Sequence, residues 1–296
     1  MANPWGIRRI AELPHSILGW KMQRTSASTL VDRRRQFQRA LADLVHGLEQ
    51  WRLWSNLGWR EILQRYRRSL LGPFWLTLTM AALIGGLGVT YSGLFDQPAS
   101  SYIPYITLGF IAWGLISAIL TDSCDVFILA SAQIKQVSVP LSVYIYKMLW
   151  KNIIIFAHNL IIYIAMLAIF DIWPGIVNFA IGLLAIAVLC INGVWTGLVL
   201  GTLSTRFRDI PQIVKNVVQV LFFLTPIFWH PGQLPGRSFI VEYNLLRYYV
   251  DILRLPLLGE PVPAYYWGII LTITLVGFAV GLAIFTKFRR RIAYWL

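Results

Sequence analysis

His158 and Asn159 are the polar residues with the most unusual position in the sequence, because they lie side by side within a long apolar run. Polar groups in a run of membrane-span length are costly and often mark a transport pathway or a proton relay. A hydrogen bond between two helices is the simpler role for a single His beside an Asn. We predict that bond, since the long uncharged runs offer no Asp or Glu to complete a relay.

Sequence motifs for enzymatic chemistry are missing from the 296 residues. The chain has no GxxxxGK[ST] phosphate loop, HExxH, CxxC pair or GxSxG. Its two cysteines, Cys124 and Cys190, are too few for a secreted disulfide scaffold. We therefore expect no catalytic residue, no metal ligand and no cofactor in this chain.

The composition is that of an integral membrane protein. Apolar residues make up 57% of the chain and charged residues 13%, and the mean hydropathy is +0.62. Soluble proteins carry about 45 to 50% apolar and about 25% charged residues. The net charge of +13 suits either a nucleic-acid partner or basic cytoplasmic loops. The positions of the charges decide between the two.

Six uncharged runs can each hold the roughly 20 apolar residues that a helix needs to cross a bilayer. A β-barrel would require alternating segments of about ten residues, which these runs do not show. The sequence predicts an all-α protein with a cytoplasmic and interfacial region, 1–69, and a six-helix transmembrane domain, 70–296. The six spans are expected at about 70–94, 102–121, 147–170, 176–202, 213–230 and 266–286.

The distribution of Lys and Arg predicts the orientation. All but three of the 26 basic residues fall before the first span, in the loops after spans two and four, or at the C-terminus. The exceptions, Arg237, Arg247 and Arg254, are accompanied by acidic residues. Cytoplasmic loops carry such an excess, so we place both termini in the cytoplasm of a multi-pass protein and expect no nucleic-acid partner.

Three segments outside the spans have helical periodicity. Trp59, Ile62, Leu63 and Tyr66 alternate with arginines just before the first span, which is typical of an amphipathic interfacial helix. It is either a topology anchor or a moving, functional element. A short apolar stretch between spans two and three suggests a docking helix. In the external segment, apolar residues from Leu245 to Leu253 recur at helical spacing and form a stripe along one face, which predicts a helix that dips into the outer leaflet.

The charged and titratable residues also indicate which classes of transporter are compatible with the sequence. A proton-coupled transporter would place Asp, Glu or His in the membrane, and the spans offer only His158. An ion channel would present a ring of like charges, which is not evident. We expect a transporter whose energy comes from a partner chain, and a self-contained channel stays open as the alternative.

Several motifs occur in the order found in one transporter family. The chain resembles the permease subunits of bacterial polysaccharide ABC exporters (Wzm-like), of the O-antigen and teichoic-acid type. The resemblance covers about residue 50 to the end. It is carried by RYRRSLLGPFW at 65–75, RFRDIP at 206–211, LTPIFW at 224–229, YNLL at 243–246, RLPLLG at 254–259 and the terminal RIAYW.

The resemblance implies a type-2 ABC exporter fold in the bacterial inner membrane. The working unit would be a homodimer with two copies of a separate ATPase, which binds ATP and Mg²⁺ and drives export of an undecaprenyl-diphosphate-linked polysaccharide. A coupling helix to the ATPase would comprise Ser131, Gln133, Ile134, Lys135, Val137 and Pro140. Gate helices would lie within Leu234 to Arg254, with the residues Leu245, Tyr249, Ile252, Leu253 and Arg254. Other type-2 cargo, such as teichoic acid, capsule, a lipid or a drug, is the runner-up.

Aromatic residues are the expected contacts for such a cargo, because sugars present flat C–H faces that stack on rings. The chain has 16 Phe, 13 Trp and 13 Tyr. An interfacial aromatic belt would need the same residue types, so both roles remain open. The rings expected along the path are Phe74, Trp75, Tyr102, Tyr105, Phe110, Trp113, Phe222, Phe223 and Trp229.

Overall fold

The computed structural model describes residues 34–67, 69–72, 74–233 and 241–296, and this part of the chain is helical without a strand, as the sequence predicts. The helices are labelled here in chain order. They are α1 (34–49), α2 (Trp51–Arg65), α3 (Phe74–Leu94), α4 (Ala99–Asp125), α5 (Ser131–Gln136), α6 (Ser142–Phe170), α7 (Ile176–Arg206), α8 (Ile210–Leu224), α9 (Leu245–Leu257) and α10 (Ala264–Trp295).

Five of these helices, α3, α4, α6, α7 and α10, are long and apolar enough to cross a membrane. The span expected at 213–230 is instead the 15-residue α8, which ends at Leu224. Such a helix is about 22 Å long, shorter than a hydrocarbon core of about 30 Å. Thr225 precedes Pro226, which disfavours helical backbone, and Thr225 is extended with φ −90° and ψ 136°. The count of six full-length spans is therefore not confirmed.

Helix α4 is the centre of the bundle. The most apolar window of α4 is 72% buried, against 17 to 39% for the other long helices. Helices α3, α6, α7, α8 and α9 all pack against it. The other long helices, α3, α6, α7 and α10, expose large apolar residues, as helices that face lipid do.

Glycines on α7 allow close packing against the inner helices. A Cβ atom on Gly197 would lie 2.8 Å from Cγ2 of Ile145, and one on Gly201 would lie 2.6 Å from Cγ1 of Val126. Small residues at this spacing let helices approach closely. The residues from Gly197 to Gly201 form a π-helical turn within α7.

The N-terminal helices are bound to the end of the bundle where the basic residues gather. The Asp43 carboxylate accepts hydrogen bonds from the backbone N–H groups of Leu141 (3.2 Å) and Ser142 (3.0 Å), and from Nε of Arg289 (2.8 Å). Asp43 thereby joins α1 to the start of α6 and to α10. At the opposite end, a hairpin with left-handed backbone at Asp171 and positive φ at Gly175 connects α6 to α7.

Ion pairs attach α2 to α6. Glu61 lies 2.8 Å from Nζ of Lys147 and 3.1 Å from Nζ of Lys151. Burial alone would raise the pKa of Glu61, but its hydrogen bond with Lys147 and the charges of both lysines outweigh that effect and lower the pKa. Ile62 is buried, whereas Trp59 and Leu63 are exposed. The exposed face of α2 suits an interfacial helix.

Candidate functional site

The segment that follows α8 is non-helical and rests against α4. Its backbone carbonyls have no helical partners, so they need other donors in an apolar surrounding. The hydroxyl of Tyr105 lies 3.2 Å from the carbonyl oxygens of both Pro226 and Trp229, which share its single proton. The hydroxyl of Tyr102 donates to the carbonyl of Phe228. The tyrosines of α4 thus stabilise the bend that ends α8.

Arg254 holds the same segment from α9. Its side chain is buried, pairs with Asp251 and donates from Nη1 to the carbonyl of Pro226 at 2.8 Å. The guanidinium also lies over the ring of Tyr105, 3.9 Å from its centre. Burial opposes the charge of Arg254, but Asp251 more than compensates, so the pKa is raised. We call Tyr102, Tyr105, Asp251 and Arg254 the clamp.

Arg247 and Asn244 extend this polar network along α9. Arg247 Nε lies 3.1 Å from the Asp251 carboxylate, and its Nη2 donates to the Tyr266 hydroxyl at 3.0 Å. The Asn244 side chain accepts from the backbone N–H of Leu246 at 3.0 Å and caps the helix. It also donates to the Thr225 hydroxyl at 2.8 Å. The start of α9 is therefore fastened to the end of α8.

The predicted gate residues lie on α9, which spans Leu245–Leu257. Tyr249, Ile252, Leu253 and Arg254 are buried, whereas Leu245 is exposed. The stripe faces the bundle, so α9 packs on α4 and α7. Residues 234–240, in the first part of the expected gate region, lie outside the described residues.

Aromatic side chains form a row of ring contacts beside the clamp. Ring centres of successive members are 5.4 to 6.2 Å apart, within the range of favourable aromatic pairs. In order, the row is Trp113, Phe222, Phe228, Tyr91, Phe95 and Tyr102. The imidazole of His230 lies 3.9 Å from the ring centre of Tyr105. Burial, followed by the charge of Arg254, lowers the pKa of His230 and favours the neutral ring.

The structure separates the predicted pathway residues into two groups. Tyr102, Tyr105, Phe110, Trp113 and Trp229 are at most 8% exposed. Phe74, Trp75 and Phe223 are 50 to 60% exposed. Phe222 is half-buried and contacts Phe110, Trp113 and Phe223. Phe74 and Trp75 lie on α3, away from this cluster, and Phe74 packs on His158.

Sequence reasoning missed four members of the cluster. They are Tyr91, Phe95, Phe228 and His230. The i, i+4 spacing of Tyr91 and Phe95 at the end of α3 was the available signal. For Phe228 and His230 the signal was their place directly after Thr225-Pro226, where the chain leaves the helix.

The hydrogen bond predicted for His158 runs within its own helix instead of between helices. Its Nδ1 lies 2.8 Å from the carbonyl of Ile154, one turn earlier. The contact between helices is made by the Thr77 hydroxyl, which donates to the backbone carbonyl of His158. The Asn159 side-chain oxygen is buried and has no hydrogen-bond partner among the described residues.

The predicted coupling segment includes α5, which spans Ser131 to Gln136 and therefore holds Ser131, Gln133, Ile134 and Lys135. Val137 and Pro140 follow it. Val137 is 55% exposed, whereas Ile134 packs partly against the core. Leu129, just before α5, is 75% exposed and was not singled out from the sequence. Leu129 and Val137 thus present apolar surface outward on either side of α5.

Comparison with known proteins places this architecture in a family. Residues 52–258 match the ABC-2 type transporter family. Two proteins of Klebsiella pneumoniae, each named O-antigen export system permease protein RfbA, are similar to the chain. One is 25% identical over 243 residues and the other 26% identical over 245, each match covering 79% of this chain and 91% of the relative. The chain, with its apolar helices and the bent segment clamped between α4 and α9, belongs to the ABC-2 type transporter family.

Proposed function

We propose that this chain is the permease subunit of an ATP-driven exporter of a lipid-linked polysaccharide of the O-antigen type. The observation that carries the proposal is the similarity to two O-antigen export permeases over 91% of their length. The cargo would be linked to undecaprenyl diphosphate and cross the bacterial inner membrane. Two copies of the chain would work with two copies of a separate ATPase, which binds ATP and Mg²⁺. Both termini would lie in the cytoplasm.

Helix α4 offers a mechanical link between the ATPase and the external segment. Its first turns carry Tyr102 and Tyr105 of the clamp, and its last residue, Asp125, is followed by Leu129 and α5. The 27 residues of α4 span about 40 Å. A displacement of α5 by the ATPase would therefore reach the clamp through one continuous helix. Release of the Pro226 carbonyl from Tyr105 and Arg254 would free the segment between α8 and α9.

Deletion of the gene tests the proposed cargo. We expect surface polysaccharide to disappear and the lipid-linked polymer to accumulate inside the cell, with recovery when the wild-type chain is supplied on a plasmid. Recovery should require the gene of the partner ATPase. Normal surface polysaccharide in the deletion strain, together with altered export of a drug or another lipid, would contradict the proposal and favour other type-2 cargo.

A further inference from the structure

A cavity of about 270 Å³ lies between the end of α7 and the end of α10. Its lining includes two arginines, Arg206 and Arg291, and the aromatic residues Phe207 and Trp295. It is separate from the clamp and from the aromatic row. The neighbouring Arg289 is bound to Asp43 of α1, so the cavity lies at the end of the bundle where the basic residues gather.

The two arginines of the cavity are available for a ligand. Neither forms an ion pair with a carboxylate of the described residues, whereas Arg247, Arg254 and Arg289 all do. Both arginines are exposed. Leaving two guanidinium groups unpaired at one cavity favours an anionic ligand, since such groups bind carboxylate and phosphate oxygens through paired hydrogen bonds.

The surroundings hold Arg206 in place. Its guanidinium lies 5.4 Å from the ring centre of Trp295 and 6.0 Å from that of Phe207. Arg208 donates to the backbone carbonyl of Trp295 at 3.2 Å, which joins the loop after α7 to the last turn of α10. An arginine positioned in this way loses less side-chain freedom when it binds.

Thr202 is a buried polar residue in the wall of the cavity. It lines the cavity and is fully buried, yet its hydroxyl has no hydrogen-bond partner within the described ranges. A buried hydroxyl without a partner is costly.

We infer that this cavity binds a phosphate or diphosphate group, with Arg206 and Arg291 as the charged contacts. The chemistry is shared by the headgroup of an anionic lipid and by a soluble phosphate. The inference does not depend on the proposed cargo, because it rests on the charge and shape of the cavity alone.

Binding to the full chain in phosphatidylcholine nanodiscs tests the inference. One arm titrates inorganic diphosphate by calorimetry. The other arm counts phosphatidic acid molecules retained by the protein in native mass spectrometry. The variants are Arg206→Gln and Arg291→Gln, each alone and both together, and the control matched to each single variant is Arg290→Gln, which also removes one charge, from an exposed position of α10 outside the cavity lining.

We expect saturable binding of at least one probe by the wild-type chain. Each arginine removed should weaken it about tenfold, the equivalent of losing about 1.4 kcal/mol of charge-assisted hydrogen bonding, while Arg290→Gln leaves it unchanged. Binding of diphosphate supports a site that accepts soluble phosphates, and retention of phosphatidic acid alone supports a lipid headgroup site. No binding of either probe, or equal weakening by Arg290→Gln, overturns the inference.

A second pair of substitutions covers the case in which the glutamine variant does not fold. Arg206→Lys with Arg291→Lys keeps both charges but removes the planar fork of donors. Binding should be weaker than in the wild type. Unchanged binding by the lysine variant would show that only general charge attracts the probe and would also overturn the inference.

Discussion

The guanidinium of Arg254 in α9 lies 3.9 Å from the ring centre of Tyr105 in α4, and both side chains donate to the same backbone carbonyl, that of Pro226. Two helices far apart in the sequence therefore share one acceptor at the point where α8 has ended. Because Thr225-Pro226 stops the helix, the carbonyl has no partner within α8. The clamp supplies the missing donors and fixes the direction in which the chain leaves the bundle.

Arg254→Met should destabilise the protein by about 3 kcal/mol. Among the residues that the structure describes, the substitution leaves the buried Asp251 with Arg247 alone as an ion-pair partner, and it removes a donor from Pro226. Loss of one member of a buried pair typically costs about 3 to 5 kcal/mol. Arg254→Lys keeps the charge and is expected to cost less. Thermal unfolding in detergent measures both. Equal stability of Arg254→Met and the wild type would show that the clamp does not stabilise the fold.

Tyr105→Phe isolates the hydroxyl of the clamp. The ring stays beneath Arg254 and the Pro226 carbonyl keeps its hydrogen bond from Arg254, but the carbonyl of Trp229 loses its donor. We expect a loss of about 1 to 3 kcal/mol, the penalty for unsatisfied buried polar groups. Tyr144→Phe is the matched control, since Tyr144 is also buried but its hydroxyl makes no hydrogen bond within the described residues. A similar loss in both variants would assign the effect to packing.

The sequence predicted the long helices because lipid tolerates only extended runs without charge, and such runs can be counted. It extended the fifth span, at 213–230, beyond the observed end of α8 at Leu224, because apolar composition does not show where a helix stops. The dipeptide Thr225-Pro226 was the local signal for that end. A hydropathy profile does not show this helix end, because the residues on both sides of the dipeptide are apolar.

The site was predictable only where it depends on local spacing. The apolar periodicity of α9 predicted a helix, but it did not predict which contacts that helix makes. The burial of Asp251 and Arg254 depends on contacts with Tyr105 and Pro226, which lie more than twenty residues away in the sequence. The i, i+3 spacing of the pair was compatible with a surface ion pair. The ring contacts of Tyr91 and Phe95 likewise depend on packing between helices.

The ion pairs that attach α2 to α6 should weaken in acid, because Glu61 becomes protonated. Its pKa is lowered in the folded protein, so its contribution to stability is present above the unfolded pKa of about 4.3 and is lost as the pH falls through the lower folded value. Glu61→Gln should cost about 1 kcal/mol at neutral pH, since Lys151 keeps Asp122 at 2.9 Å.

Thermal unfolding from about pH 7 to about pH 3 checks this sign. The difference in stability between the wild type and Glu61→Gln should be constant near neutrality and shrink below about pH 4. A difference that grows on acidification would contradict the lowered pKa. The contributions of the other carboxylates to stability cancel in this difference, because both proteins contain them.

Leu129→Asp with Val137→Asp tests the proposed contact with the ATPase. Both side chains point outward at the α5 end of α4, so the substitutions should leave folding intact. Charges buried in an apolar interface would cost about 2 to 5 kcal/mol, and copurification with the ATPase and transport should fall together. Trp173→Asp, at a 78% exposed position of the opposite hairpin, is the control. Normal assembly of the double variant would remove the coupling role of this surface.

Replacement of exposed and buried rings by Ala separates cargo contact from packing. Trp75 and Phe223 are 50 and 60% exposed, whereas Phe110 is 6% exposed. Stacking on an aromatic ring is worth about 1 to 3 kcal/mol in nucleic-acid complexes, and stacking of a sugar should be no stronger. Trp75→Ala and Phe223→Ala should therefore slow export by at most about 150-fold without lowering thermal stability. Phe110→Ala should instead cost about 3 to 5 kcal/mol of stability.

The measurement is surface polysaccharide per folded molecule, with the amount of folded protein taken from size-exclusion chromatography. Slower export per molecule in Trp75→Ala and Phe223→Ala supports a path along the outward rings. If these rings instead form an interfacial belt, each folded molecule should export normally, because the belt positions the protein in the membrane without touching the cargo. Normal export per molecule in both variants would remove Trp75 and Phe223 from the pathway, and with them the idea that the polymer slides along exposed aromatic faces.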